Sequence, residues 1–169
     1  SNAVILLAKY SHKGALGVVI NRPSGISLSE ALPDFKGLKK DFENLFIGGP
    51  VARFSPFTLI QTEKEIKNIH HIFDNTFYST DIKSIAGFII NKNSKDRMRV
   101  YAGHAGWFPG QLETEVARGS WTVIRADQYT VFDKEPDTIW EDLMKRDAPL
   151  FIKESDNEIS PIQLSKSLF

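Results

Sequence analysis

The chain has 169 residues, no cysteine, and 21 basic against 21 acidic side chains, so its formal charge is zero. Hydrophobic residues make up 41% of it, which excludes intrinsic disorder and suffices for a core without covalent staples. The missing cysteines exclude a disulfide scaffold, a cysteine-ligated zinc site and a cysteine nucleophile, and the balanced charge speaks against strong non-specific binding to nucleic acid.

No apolar run approaches the roughly 18 residues of a membrane span. Val4 to Ala8 is too short for a signal-peptide core and has no basic flank before it. Ser1-Asn2-Ala3 reads as the scar left by removal of an expression tag, residues 4–148 as the folded domain, and 149–169 as a tail that packs locally or not at all. The expected location is the cytoplasm, with no membrane partner.

Val4 to Tyr10 is an apolar run with β-branched members and predicts a buried strand. Ala15 to Asn21 predicts a second, paired with the first in an antiparallel hairpin. Arg22-Pro23-Ser24-Gly25 ends it, since proline lacks the N–H a ladder needs. Ser27 with Glu30 three residues on is a capping box for a short helix stopped by Pro33. Leu45 to Ile47 and Phe57 to Gln61 predict strands. Ile66, Ile69 and Phe73 are spaced for a helix over Thr62 to Phe73, although Phe73 to Thr80 is β-rich. Asp81 to Asn91 predicts an amphipathic helix capped by its leading aspartate.

Met98 to Gly103 predicts a strand, and Gly110 to Arg118 a helix closed by Gly119. Trp121 to Ala126 and Tyr129 to Phe132 predict a strand pair around Asp127-Gln128. Asp137 to Lys145 predicts a helix with Ile139, Trp140 and Leu143 inward. Hairpin-like pairs mixed with solitary helices, and no internal repeat, point to an α+β fold with an antiparallel-rich sheet.

Charge is locally uneven. Lys83, Lys92, Lys95, Arg97 and Arg99 face only Asp96 within their stretch, whereas Asp127 to Glu158 is strongly acidic. The basic stretch has no aromatic interleaved among its polar residues and reads as a solvated helix end and loop.

The segment richest in chemical possibility is Gly103-His104-Ala105-Gly106-Trp107-Phe108-Pro109-Gly110-Gln111, continuing to Glu115. Its glycines allow positive φ and close approach. A helix starting near Gly110 leaves its first N–H groups open to an anion. His104 before it and Trp107 as a flat wall would suit a small anionic ligand. The structural alternative is a tight strand-to-helix turn with Trp107, Leu112 and Val116 in the core. Glu113 and Glu115, two apart, face differently on a helix and make a poor acid–base pair. Arg22, beside Asn21 at a strand end, has the geometry to clamp an anion bidentately, or it sits in water while Asn21 bonds backbone. Gly48-Gly49-Pro50 reads as a tight turn where segments cross closely.

The four histidines, His12, His70, His71 and His104, show no metal-ligand spacing, so no metal and no cofactor is expected. No nucleophile elbow, phosphate loop or dinucleotide fingerprint occurs, and no two predicted helices are joined by a turn of three or four residues.

The string INRP at Ile20 to Pro23, GGPV at Gly48 to Val51, and GHAGWFPGQLETE from Gly103 followed by Gly119-Ser120-Trp121 occur in this order with separations that resemble the YqgE/AlgH family of bacterial proteins. The resemblance runs from about Val4 to the helix around Trp140. The positions on the family pattern are Asn21, Arg22, Pro23, Gly48, Gly49, Pro50, Gly103, Gly106, Trp107, Gly110, Gln111, Leu112, Glu113, Glu115 and Trp121. At His104 the sequence departs from the tyrosine usual in the family. Members of the family carry a further strand ahead of the position of Val4, which this sequence lacks, and the resemblance implies a single α+β domain with a bent, barrel-like, mixed sheet and flanking helices. It also implies a transcriptional regulator, through a link to alginate control in one branch; no enzymatic activity, cofactor or DNA-reading residue comes with it.

Three functions are therefore expected in turn. The first is a cytoplasmic regulator acting indirectly, through a protein partner or a small anionic ligand. The second is an enzyme or small-anion sensor built on Arg22, His104 and the helix start at Gly110. The third is a direct DNA-binding regulator using Lys83 to Arg99, which the neutral charge does not support.

Overall fold

Val4–Ser11 (β1) and Gly14–Val19 (β2) form the hairpin that their apolar runs predict, with Ile5 opposite Val19 and Ser11 opposite Gly14. A bulge between Leu7 and Lys9 bends the pair. Val4 and Leu6 are fully buried and Ile5 and Leu7 nearly so, which is why β1 reads as an unbroken apolar run rather than an alternating one. The computed structural model describes residues 2–34, 44–146 and 162–166. The chain divides into two compact units, Ser1–Arg22 with Ala105–Phe169, and Pro23–His104.

In the first unit, β2 pairs antiparallel with Ala105 to Trp107, the end of strand β8 (Arg97–Trp107). On its other edge β1 pairs with Ile162–Lys166 (β10), which pairs in turn with Trp121–Arg125 (β9). The segment expected to be a tail thus supplies a strand between β1 and β9; residues 147–161, including the rest of the acidic stretch, lie outside the described residues. Ile5, Leu7, Val19, Ala105, Trp107 and Leu112 form a core cluster in this unit. Gln111–Ala117 (α3) contributes Leu112 to it.

Tyr129 to Phe132 differs from expectation. It belongs to a helical turn, Gln128–Phe132 (α4), capped by Asp127, whose carboxylate accepts the Thr130 N–H at 2.8 Å. Arg146 Nη1 holds the same carboxylate at 2.7 Å. An aspartate that can close a turn on its own backbone overrides the β propensity of the apolar residues after it. Pro136–Met144 (α5) follows after three residues and buries Ile139 and Leu143, as predicted; Trp140 is half-buried.

In the second unit, β8 is flanked on one edge by the antiparallel strand Val51–Gln61 (β5). On the other edge lies Asn44–Ile47 (β4), which runs parallel to it. Pro23–Ser27 (β3) pairs with β4, so part of the turn expected after Arg22 is strand. The predicted capping box is present: Ser27 Oγ accepts the Glu30 N–H, and Glu30 Oε2 accepts the Ser27 N–H, at the start of Leu28–Ala31 (α1). His70–Phe73 (β6) and Thr76–Ser79 (β7) extend the sheet beyond β5 in a hairpin.

The helix expected over Thr62 to Phe73 does not form. Thr62 N–H donates to Asn75 O at 3.1 Å, and Thr62 Oγ1 and Lys64 Nζ bond buried Asp96 at 2.7 and 2.8 Å. Asn68 adopts φ 59°, which a helix does not admit. Ile82–Asn91 (α2) is capped by Asp81 as expected and packs Ile85 and Phe88 against Ile60, Met98 and Val100 of the sheet.

One close crossing fixes the second unit. At Gly103 (φ 75°) a side-chain Cβ would stand 2.5 Å from Gly49 O and 2.7 Å from Val51 O. Gly48 N–H donates to Ala102 O at 2.9 Å beside it. The glycine pair at 48–49 and Gly103 thus let two segments pass at backbone distance, as their composition suggested. Gly103→Ala should lower stability by about 2–4 kcal/mol. Gly106→Ala, where a Cβ meets nothing nearer than 4.0 Å, should cost under about 1 kcal/mol. Urea unfolding of the two variants against the parent checks the contrast.

Candidate functional site

The strand expected to end at Gly103 continues to Trp107, and only Phe108 to Gly110 form the turn into α3. Gly110 takes the left-handed conformation (φ 76°) at the N-cap and supplies no side-chain cap. Gln111 takes over that task. Its N–H donates to Phe108 O at 3.0 Å and its Oε1 accepts the Phe108 N–H at 3.1 Å, so the turn is closed from both sides. At the far end Gly119 N–H bonds Val116 O and Ser120 N–H bonds Glu115 O, each at 2.9 Å. This is the glycine-closed end that the sequence predicts.

Glu115 is the centre of this arrangement. Its Oε2 accepts the indole N–H of Trp107 at 3.1 Å and that of Trp121 at 2.6 Å. Its Oε1 accepts Gln111 Nε2 at 3.0 Å. The two indoles meet edge to face, 6.1 Å between centroids at 76°. The carboxylate is committed to holding β8, α3 and β9 together. Glu113, two residues earlier, turns to another partner, as the helical spacing required: Tyr10 Oη donates to its Oε1. That bond, with burial and the carboxylate's charge, pushes the Tyr10 pKa up to about 12.

With Gln111 and Glu115 so arranged, Phe108 stands out from the loop with 81% of its surface exposed. Beside it lies an open, shallow depression of about 490 Å³ lined by Pro109, Gly110, Gln111, Thr114, Glu115 and Arg118.

The candidate residues fall in both units. Asn21, Arg22, Gly106, Trp107, Gly110, Gln111 and Glu115 belong to the first, and Gly48, Gly49, Gly103 and His104 to the second. Trp107, Gly110, Gln111 and Glu115 come together around the depression and its supporting carboxylate. Asn21 does other work: its Oδ1 accepts the Val4 N–H at 2.9 Å and its Nδ2 donates to Asn2 O at 3.0 Å, closing the start of β1.

His104 pairs with Val51 across the sheet and lies 6.1 Å from the Phe57 ring. Burial lowers its pKa below the usual imidazole value, so at neutral pH it offers no positive charge to an anion. Among the described residues, no group of three or more His, Asp or Glu side chains is placed to hold a metal, and no helix is long and apolar enough to cross a membrane.

The basic stretch is split by the alternation of β8. Met98 and Val100 face α2, whereas Arg99 lies over the Phe46 ring at 4.9 Å from its centroid. Two helices, α4 and α5, do turn out to be joined by three residues, which the strand reading of Tyr129 to Phe132 concealed. The second of them carries Asp137, Glu141 and Asp142 and no basic residue. Tyr10, Phe108 and the Trp121 indole are the site residues that sequence reasoning did not select. Tyr10 is 103 positions from its partner and carries no local signal.

These elements define an α+β protein with antiparallel-rich sheets and a tryptophan-clamped loop. A family model described as AlgH-like matches residues 1–149, and the chain belongs to that family. It is 30% identical over 146 residues to a UPF0301 protein of Cytophaga hutchinsonii, covering 85% of this chain and 78% of that one. It is 37% identical over 139 residues to a UPF0301 protein of Burkholderia cenocepacia, covering 79% and 72%. Two solved structures share the fold. One is the solution structure of the AlgH protein from Pseudomonas aeruginosa (TM-score 0.69, 24% identity, 92% of this chain and 86% of that one). The other is a crystal structure of a Corynebacterium diphtheriae protein (TM-score 0.71, 25% identity, 86% and 78%).

Glu115→Ala should destabilise the protein by about 2–4 kcal/mol, because it strands two indole N–H groups, and should change the tryptophan emission. Glu115→Gln keeps an acceptor and should cost less; chemical unfolding followed by fluorescence checks both. Tyr10 has a folded pKa above its ordinary 10.0, so its stabilising share is complete below pH 10 and lost as pH rises through about 12. The stability advantage of the parent over Tyr10→Phe should therefore shrink between those pH values in urea unfolding.

Proposed function

We propose that this protein is a regulator that acts on transcription indirectly, by binding another protein with the Phe108 face of its first unit. The observation that carries this reading is Phe108 itself. It is a large apolar side chain held in the open on a turn whose backbone is closed by Gln111, with Gln111 in turn held by Glu115. An aromatic knob whose backbone is already fixed loses little freedom on docking, and such residues dominate binding energy at protein interfaces. The depression beside it is wide and shallow, a shape that receives a partner's side chain better than it encloses a small molecule.

Three features favour an indirect route over direct reading of DNA. The net charge is zero. Arg99 and the helix that carries Lys83 lie on opposite faces of the same sheet. The second helix of the α4–α5 pair is acidic and would be repelled by a phosphate backbone. Glu115 is occupied by three N–H donors, which leaves it poorly placed for proton transfer.

The test has two arms. The purified protein should show no tight, steeply salt-dependent binding to duplex DNA at about 150 mM salt. In cells, Phe108→Ala should reproduce the transcript changes of a deletion while leaving the melting temperature within about 2 °C of the parent, because the side chain is exposed. Strong DNA binding by the parent, or a Phe108→Ala strain indistinguishable from the parent strain, overturns the reading.

A further inference from the structure

Taking the docking role of Phe108 as given, we infer that its partner is an acidic protein surface, an apolar socket with carboxylates on its rim. Two cations frame the Phe108 face. The turn of the β1–β2 hairpin lies against the loop: a Cβ on Gly14 would stand 2.3 Å from Trp107 O and 3.5 Å from the carbonyl carbon of Phe108. Lys13, one residue earlier, therefore stands beside that loop. Arg118 lines the depression at the other end of α3, about 10 Å from Gln111 at roughly 1.5 Å of rise per residue. Both side chains are exposed, and among the described residues neither has a hydrogen-bond or ion-pair partner.

The carboxylates of the same face are engaged. Glu113 accepts the Tyr10 hydroxyl, and Glu115 accepts two indoles and the Gln111 amide. At long range these two charges cancel the two cations, so the face does not steer a partner from a distance. At contact range the balance differs. The carboxylates are turned to their donors, and the two cations are left to a docking surface, around one aromatic ring.

This arrangement separates the anions that could dock. A nucleic-acid backbone carries closely and evenly spaced charge and no apolar socket. It would meet Glu113 along with Arg118 and leave Phe108 in water. A protein can set carboxylates opposite the cations alone and sink Phe108 in a pocket. Guanidinium and carboxylate pair through two parallel hydrogen bonds, which fixes the partner's register along the depression. The buried ring then keeps water from that pair.

A photo-reactive benzophenone side chain at position 108 identifies what docks. Irradiated in cells, it should crosslink to a protein segment with an excess of Asp and Glu. Arg118→Glu should lower the crosslink yield about tenfold, and Lys13→Glu about threefold. Arg118→Lys keeps the charge without the two-pronged geometry and should lower it only about threefold. Replacing the facing carboxylate of the crosslinked segment by lysine should restore the yield with Arg118→Glu. Melting temperatures within about 3 °C of the parent show that the charge variants are folded. A crosslink to a neutral or basic segment, or a yield that Arg118→Glu leaves unchanged, overturns the acidic partner while the docking role of Phe108 stands. No crosslink from position 108 in the parent overturns both.

Discussion

The first unit depends on one half-buried carboxylate. A seven-residue helix cannot stand alone in water, and α3 offers the core little beyond Leu112 and part of Val116. Glu115 makes up the difference by drawing the end of β8 and the start of β9 to itself through their indoles, and by fixing Gln111, which closes the turn ahead of the helix. Each of these bonds runs from a neutral N–H to a charged acceptor, the stronger kind, and together they leave the charge well compensated. The same commitment gives the carboxylate three N–H donors within the unit. What the loop presents to the outside is shape: a projecting ring and a shallow hollow.

Most of the fold was legible because the sequence states it locally. Val4 to Tyr10 had to be a buried strand; Ser27 with Glu30 and the leading Asp81 announced their helices; Gly119 announced an ending. The misreadings have a common physical origin. At Thr62 to Phe73 the isoleucine spacing is helical, but Asp96, more than thirty positions from both, claims Thr62 and Lys64 and draws the chain elsewhere. At Tyr129 to Phe132 the propensities favour strand, but one aspartate side chain closes a turn. In both, a hydrogen bond outside the hydrophobic pattern decides. The loop itself was found from its glycines. The role of Glu115 was not, because its partners Trp107 and Trp121 converge only after β8 and β9 are in place.

The crossing at Gly103 shows how the glycines of these strings divide their labour. Gly49 and Gly103 serve backbone proximity, Gly110 serves a reversal of φ, and Gly106 meets neither demand. His104, next to the crossing, is kept neutral by burial beside Phe57 and contributes a ring rather than a charge. The attraction of the sequence motif as an anion pocket came from adding these residues together. The fold gives them separate environments, Gly103 and His104 in the second unit and the loop with α3 in the first.

The placement of β10 sets an order for events during synthesis. The second unit is one uninterrupted stretch of chain, whereas the first is assembled from two stretches, and β1 borders a strand emerging more than 150 positions later. As the polypeptide leaves the ribosome, Pro23 to His104 is available in full while β1 still lacks a neighbour on one edge. That edge, an apolar strand with unpaired amides, must wait until Ile162 to Lys166 has been translated. The nascent protein is thus most open to mispairing in the interval between completion of its second unit and arrival of Ile162 to Lys166.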